Sequence, residues 1–209
     1  MLPEATVLVV DDHERVRQSI RALLESANHS VVDFPSAQAL LESSRAEQGD
    51  CILSDMRMPN MTGLELQQEL ARRGIGVPFI IITGHADVPL AVKAMKAGAA
   101  DFIEKPFDDD MLLASIQRAL EAGRTVRAQS VAARAAAELI ATLTERERQV
   151  LDQLVLGQSN KLVAQHLAIS PRTVEVHRSR ILEKLKARCL SDLVRIVHAF
   201  EGRYASSRT

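Results

Sequence analysis

Two kinds of segment alternate along the first part of the chain. Residues 5–10 form a short, valine-rich apolar run that stops at Asp11-Asp12. In residues 16–27, Val16, Ile20, Leu23 and Leu24 then recur at helical spacing. The exchange repeats. Residues 31–34 predict a second strand, and Ser36 caps a helix through Leu40 and Leu41. Residues 51–54 predict a third strand, ending at Asp55; Met58-Pro59-Asn60 and Gly63 mark a loop before a helix near 64–73. Residues 77–82, the most apolar run, end at Thr83 and precede a helix near 88–97 that closes at Gly98. Residues 101–104 give a fifth strand, followed by Lys105-Pro106 and a helix over 108–122. Strand–helix alternation of this kind predicts a parallel sheet with helices on both faces. The strands are continuous apolar runs, as strands buried on both sides are.

From Thr142 the pattern is entirely helical. Thr144 and Glu147 form a capping box. Helices are predicted over 145–156, 160–167, 171–185 and 191–200. Gly157 ends the first of these, while Ser170 and Pro171 supply a cap and a first-turn proline for the third. Residues 123–141 differ from both halves: they are rich in alanine, carry Arg124, Arg127 and Arg134, and contain no proline. Alanine favours a helix continuing the preceding element; a disordered linker is the alternative, because short isolated helices are marginal in water. The expected division is therefore 1–122, a linker over 123–141, and 142–209.

Length agrees with this division, since 209 residues have room for about two modest domains. Charge sharpens it. The near-neutral total hides 11 Lys and Arg against 19 Asp and Glu in residues 1–122, and 12 against 7 in residues 142–209. An acidic module beside a basic, nucleic-acid-binding one is the reading this favours, with chance surface charge as the alternative. Cys51 and Cys189 are too few and too far apart for a disulfide framework or metal site, so both are expected to be reduced. No apolar run is long enough to span a membrane, and Met1-Leu2-Pro3-Glu4 does not begin a signal peptide. A cytoplasmic protein with no membrane association is expected.

The chemistry is at the strand ends. In an open parallel sheet, ligands bind outside the carboxyl ends of the strands, where strand order reverses. Here those ends carry Asp11 and Asp12, Asp55, Thr83 and Lys105. A single Asp after a strand is ordinarily a loop residue; five polar groups ending successive apolar strands point to a site. Clustered carboxylates suit Mg²⁺ (or Mn²⁺), which keeps waters and binds through carboxylates plus a phosphate. One carboxylate can attack a phosphoryl group. Lys105 would offset charge on the transferring oxygens, and the Thr83 hydroxyl could bond the phosphoryl group.

Val9-Val10-Asp11-Asp12, Ser54-Asp55-Met56-Arg57-Met58-Pro59, Thr83-Gly84-His85 and Glu104-Lys105-Pro106-Phe107 resemble the motifs of the response-regulator receiver domain. The resemblance covers residues 5–122 and implies a flavodoxin-like (βα)5 fold. It implies phosphorylation of Asp55 by a sensor histidine kinase. It also implies Mg²⁺ held by Asp12, Asp55 and the backbone carbonyl of Arg57, with Asp11 acting through water. Thr83 and Phe102 match the family's switch pair, and Lys105-Pro106 a peptide bond that is commonly cis. His13 reads as a solvated residue at a helix start. His85 lies where receivers tune dephosphorylation, and Ala86 stands where glycine is usual in the FixJ subgroup, a less permissive residue in a loop that must move.

Residues 142–203 resemble the LuxR/NarL class of helix-turn-helix DNA-binding domains, through Leu143-Thr144-Glu145-Arg146-Glu147, residues 157–161 and residues 170–178. The two resemblances together identify the chain as similar to the FixJ subgroup of two-component response regulators. Residues 164–170 would turn between crossing helices, with 171–185 as the recognition helix. Val174, Ile181, Leu182 and Leu185 should face the core, leaving Arg172, Glu175, Val176, Ser179 and Arg180 on or near the outer face. By family analogy Glu175, Val176 and Ser179 occupy major-groove positions. Lys161, Arg172, Thr173, Arg178 and Lys184 would mostly hold phosphates. Arg180 stands where an uncharged polar residue is usual, so the family's DNA preference does not carry over.

The function implied is phosphorylation-dependent control of transcription, as an activator working with RNA polymerase. Phosphorylated receivers would pair through the face made by the fourth helix, fifth strand and fifth helix. Two recognition helices would then meet a symmetric promoter site in duplex DNA. The chain is expected not to be an enzyme beyond accepting the phosphoryl group and losing it again. Phosphatases of aspartyl-phosphate type carry a second aspartate where Arg57 stands. An adaptor or RNA-binding role is the remaining alternative, against which the helix-turn-helix motif argues.

Overall fold

The computed structural model describes residues 5–84 and 88–205. The chain divides into two compact units, Met1–Thr125 and Val126–Thr209.

In the first unit, strands β1 (Thr6–Val10), β2 (Ser30–Phe34), β3 (Cys51–Asp55), β4 (Phe79–Thr83) and β5 (Asp101–Glu104) form one parallel sheet in the order β2-β1-β3-β4-β5. Helices α1 (Glu14–Ser26), α2 (Ala37–Glu42), α3 (Gly63–Arg72), α4 (Val88–Lys96) and α5 (Asp109–Ile140) connect and cover the strands. Side chains alternate across a strand, so each strand feeds two cores. Leu8, Val10, Ile52 and Ile81 pack with Leu40, Leu66, Leu70 and Ala94 from α2, α3 and α4. Val7, Val9, Leu53, Ile80, Ile82 and Ile103 pack with Ile20 and Leu24 of α1 and Leu112, Ile116 and Leu120 of α5. Burial on both faces is why the central strands β1, β3 and β4 are dominated by apolar residues.

Local chemistry fixes the helix starts. The Ser36 hydroxyl accepts the Ala39 N–H (3.2 Å), and Thr62 and Glu65 complete a capping box on α3. The Lys105-Pro106 peptide is cis.

Helix α5 does not stop at Ala122. Its residues run to Ile140, past the division between the units at Thr125 and Val126. The expected helical linker is therefore part of one long helix. Gly123 belongs to its receiver-side portion: a Cβ there would come 2.6 Å from the Pro78 ring.

In the second unit the end of α5 joins α6 (Glu145–Val155), α7 (Asn160–His166), α8 (Pro171–Lys184) and α9 (Leu190–Ala205). Helix α8 packs on both α6 and α7. The core is Val150, Leu151, Leu154, Val163, Val174, Ile181, Leu185 and Leu193, with Ile140 from α5. Val174, Ile181 and Leu185 are buried and Leu182 packs at the core's edge, as the spacing predicted. Among the described residues, no helix is long and apolar enough to cross a membrane.

Candidate phosphoryl-acceptor site and recognition helix

Strand order reverses between β1 and β3, which places the crevice at their carboxyl ends. Asp11 follows β1, Asp55 closes β3, Thr83 closes β4 and Lys105 follows β5. The structure ties Asp11 and Asp55 together through one ammonium group. Lys105 Nζ donates to Asp55 Oδ1 at 2.6 Å and to Asp11 Oδ2 at 2.8 Å. Asp11 is 1% exposed and Asp55 8%. The other Asp55 oxygen accepts the Arg57 N–H at 2.6 Å, and Asp11 Oδ1 accepts the His13 N–H at 2.8 Å.

Burial of Lys105 pulls its pKa down, but hydrogen bonds to Asp11 and Asp55 outweigh that and hold it above its ordinary value. The ammonium therefore stays charged. Even so, this one cation serves both Asp11 and Asp55, and Asp12 adds a third carboxylate next to Asp11. The carboxylates outnumber it, and hard oxygen donors in excess of positive charge fit a divalent cation such as Mg²⁺. Ligand atoms of Asp11, Asp12 and His13 lie within 4.8 Å of one another. Asp55 stands outside that triplet and is tied to it through Lys105. His13, read as merely solvated, is the exposed N-cap residue of α1, with Nδ1 3.1 Å from Asp12 Oδ1.

In the second unit, the Ser170 hydroxyl accepts the Thr173 N–H (3.0 Å) and Pro171 occupies the first turn of α8. Arg172, Glu175, Val176, Ser179 and Arg180 are exposed; Thr173 and Arg178 are half-buried; Lys161 is exposed on α7. Residues 167–170 make the turn between α7 and α8. Two helices joined by this short turn, the second presenting a polar outer face, have the form of a helix-turn-helix.

Comparison with known proteins agrees with both halves. Residues 7–117 match the response regulator receiver domain, and residues 141–197 match the luxR family of bacterial regulatory proteins. Transcriptional regulatory protein FixJ of Azorhizobium caulinodans is 47% identical over 196 residues, spanning 93% of each chain. The chain belongs to the FixJ-like response regulators. It is a two-component transcription regulator with a receiver domain and a LuxR-type DNA-binding domain. The solved structure of response regulator StyR is similar at 42% identity and a TM-score of 0.80, covering 93% of this chain and 98% of that one. Full-length FixJ from B. japonicum has the same identity and a TM-score of 0.59, with 95% and 98% covered.

Within the receiver, Thr83 is fully buried, and Phe102 is half-buried against the core on the α2–α4 side of the sheet. Pairing of Ile81 with Phe102 and of Thr83 with Glu104 puts the two on adjacent strands, two positions apart. His85 and Ala86 lie outside the described residues. Two receiver residues escaped the sequence reading. Gly63 was read as a loop marker, yet a Cβ there would come 2.4 Å from the Asp55 carbonyl oxygen; only glycine lets α3 begin so close to Asp55. Arg17 reaches the Asp11 carbonyl at 2.7 Å.

One residue expected on the recognition helix's DNA side makes contacts within the domain. Lys184 was placed among the phosphate contacts, but its ammonium turns inward, 2.6 Å from Glu147 Oε2 and 3.3 Å from the Thr142 carbonyl. Glu147 is 2% exposed, and a buried carboxylate is costly unless a cation pairs with it. The Arg146 guanidinium also works internally, donating to the Leu167 carbonyl at 2.5 Å and so joining α6 to the turn.

Proposed function

We propose that Asp55 accepts a phosphoryl group from a sensor histidine kinase and that this drives dimerisation and promoter binding. The observation that carries the reading is the Lys105 ammonium held between two buried carboxylates at the switch point of the sheet. An Asp55 carboxylate oxygen attacks phosphorus, the bond from phosphorus to the kinase imidazole nitrogen breaks, and the electron pair leaves with that nitrogen. Lys105 offsets charge on the phosphoryl oxygens, and the Arg57 N–H fixes the second carboxylate oxygen. Asp11, Asp12 and Asp55, with the Arg57 carbonyl, would hold Mg²⁺ or Mn²⁺, which supplies further neutralisation of the phosphoryl charge. Loss of the phosphoryl group to water resets the receiver; no other enzymatic turnover is proposed.

Thr83 and Phe102 are assigned as the switch, moving between two packed arrangements as the phosphoryl group comes and goes. The face made by α4, β5 and α5 is the proposed dimer surface. It is supported by Val88, Val92 and Met95, exposed on α4 at a spacing of four and three residues, and by Met111, exposed on α5. Residues 1–122 act as the receiver, 123–141 as linker and 142–209 as the DNA-binding domain. In α8, Glu175, Val176 and Ser179 read bases, with Arg180 beside them. Lys161, Arg172, Thr173 and Arg178 hold phosphates. The setting is the cytoplasm, and the output is activation together with RNA polymerase. The test is Asp55→Asn: wild type should dimerise and shift a promoter duplex after acetyl-phosphate treatment, and the variant should do neither. A variant that still responds to acetyl phosphate overturns the reading.

A further inference from the structure

Asp11 is held at four points. Its N–H donates to the Phe34 carbonyl (3.3 Å), its side-chain oxygens take His13 N–H and Lys105, and its carbonyl takes one Arg17 Nη1 donor. Only the last of these comes from a side chain that is neither within the acidic turn nor part of the phosphoryl-acceptor machinery. Arg17 stands on α1 with its side chain 12% exposed. The same guanidinium donates through Nε to Asp33 Oδ2 at 3.1 Å. Asp33 lies on β2, paired in register with Val9 on β1. Arg21, one helical turn beyond Arg17, binds the other Asp33 oxygen. Burial pushes the Asp33 carboxyl up, and the two guanidinium groups more than offset it, so its pKa lies below the ordinary value.

The two arginines therefore share one carboxylate but differ in reach. Arg21 ends on Asp33, Glu25 and the Val31 carbonyl. Arg17 continues to the acidic turn. A planar guanidinium holds two acceptors in a fixed fork, which a lysine head cannot do.

We propose that Arg17, clamped by Asp33, is a positioning residue of the phosphoryl-acceptor site: it fixes the main chain at Asp11 so that Asp11 and Asp12 present their carboxylates to the divalent cation. The inference rests on the reading of the acidic pocket as a cation-assisted site. Groups that orient metal ligands without touching the metal typically contribute about 10–100-fold in metal affinity, and that is the effect expected here.

The test measures Mn²⁺ affinity of the full chain directly, by electron paramagnetic resonance of free Mn²⁺, for wild type, Arg17→Ala, Arg17→Lys, Arg21→Ala, Asp33→Asn and Asp12→Asn. Arg17→Ala and Arg17→Lys should each weaken Mn²⁺ binding about tenfold or more, and Asp33→Asn should do so in part. Arg21→Ala also removes a partner of Asp33, so it reports the structural cost alone; its Mn²⁺ affinity should stay within about twofold of wild type. Should Arg17→Ala not fold, Arg17→Lys keeps the stem and charge and decides the matter. Arg17 variants that bind Mn²⁺ like wild type, while Asp12→Asn does not, overturn the positioning role and leave the pocket reading intact. So does an Arg21→Ala loss as large as that of Arg17→Ala. Failure of wild type to bind Mn²⁺, or undiminished binding by Asp12→Asn, overturns both.

Discussion

Replacing Glu147 by glutamine separates two things that one side chain does in the DNA-binding domain. Its carboxylate caps α6, accepting the Thr144 N–H at 2.8 Å and the Thr144 hydroxyl at 3.0 Å. It also pairs with Lys184 at the end of the recognition helix, at 2.6 Å. The hydrogen bond from Lys184, then the one from the Thr144 N–H, outweigh burial and bring its pKa from 4.5 down to about 2. A depression of that size corresponds to about 3 kcal/mol of folded-state preference for the anion. The Lys184 side chain is 34% exposed, so water screens the pair, and about 1–2 kcal/mol is the expected contribution. Glutamine keeps an oxygen for the cap and removes the charge. Glu147→Gln should therefore lose about 1–2 kcal/mol at neutral pH. Glu147→Ala should lose about 1 kcal/mol more, because the cap goes too.

The pH dependence carries the sharper test. The folded-state pKa lies below the unfolded one, so the ionised carboxylate favours folding fully above about pH 4.5. That advantage fades as pH falls from about 4.5 to about 2 and is absent below it. Urea titrations of the full chain, followed through the amide resonances of α8, would give the gap between wild type and Glu147→Gln at each pH. The gap should hold steady from neutral pH to about 5 and then close. A gap that persists unchanged into acid, or a glutamine variant as unstable as the alanine one, would refute the ion-pair argument.

Three further outcomes follow from the same geometry. Gly63→Ala should destabilise the receiver by about 1–3 kcal/mol and slow acetyl-phosphate labelling of Asp55. The added Cβ falls 2.4 Å from the Asp55 carbonyl, outweighing a helix-propensity gain of about 1 kcal/mol; a stabilised variant in thermal unfolding would contradict this. Arg172→Ala should lower the salt dependence of promoter binding by about one counterion, whereas Lys184→Gln should cost stability and leave the salt slope of the folded protein unchanged. Equal slopes for the two variants would return Lys184 to the phosphate contacts. Finally, Cys51 is fully buried with its thiol pushed up to about 12, while Cys189 is exposed, so a thiol reagent on the native chain should modify Cys189 alone. Rapid loss of both thiols would show that the sheet opens.

The two-faced sheet was legible because its central strands are mainly apolar runs with polar groups at their carboxyl ends. Asp11, Asp55 and Thr83 each end or follow a run that is otherwise apolar, and a polar group there has no packing reason to exist. The helix caps at Thr144 and Ser170 were legible because the donor they satisfy is fixed by helix geometry itself. The long helix α5 was a matter of balance: alanine-rich sequence favoured it, and no proline interrupted it. The pairing of Lys184 with Glu147 was not read, because a lysine on a basic helix reads as a surface charge. Its spacing held the signal for that pairing, three residues after buried Ile181 and one before buried Leu185, which puts it at the border of the core face.

What stayed hidden is of one kind. Gly63 and Arg17 both act on main-chain carbonyl oxygens, those of Asp55 and Asp11. Every residue has such an oxygen, so nothing in the pattern of side chains marks the two that matter. Gly63 carries no positive-φ requirement that a turn motif would have exposed; it is needed for space, at the first residue of a helix where alanine would otherwise be favoured. Arg17 sits on a helix where a neighbouring arginine, Arg21, shares its partner Asp33, so that shared pairing does not single Arg17 out. What ties Arg17, and not Arg21, to the acidic turn is a single 2.7 Å contact with the Asp11 carbonyl. The carboxylates of a site such as this can be found from sequence because they interrupt the hydrophobic pattern; the groups that aim those carboxylates conform to it, and only coordinates separate them from their neighbours.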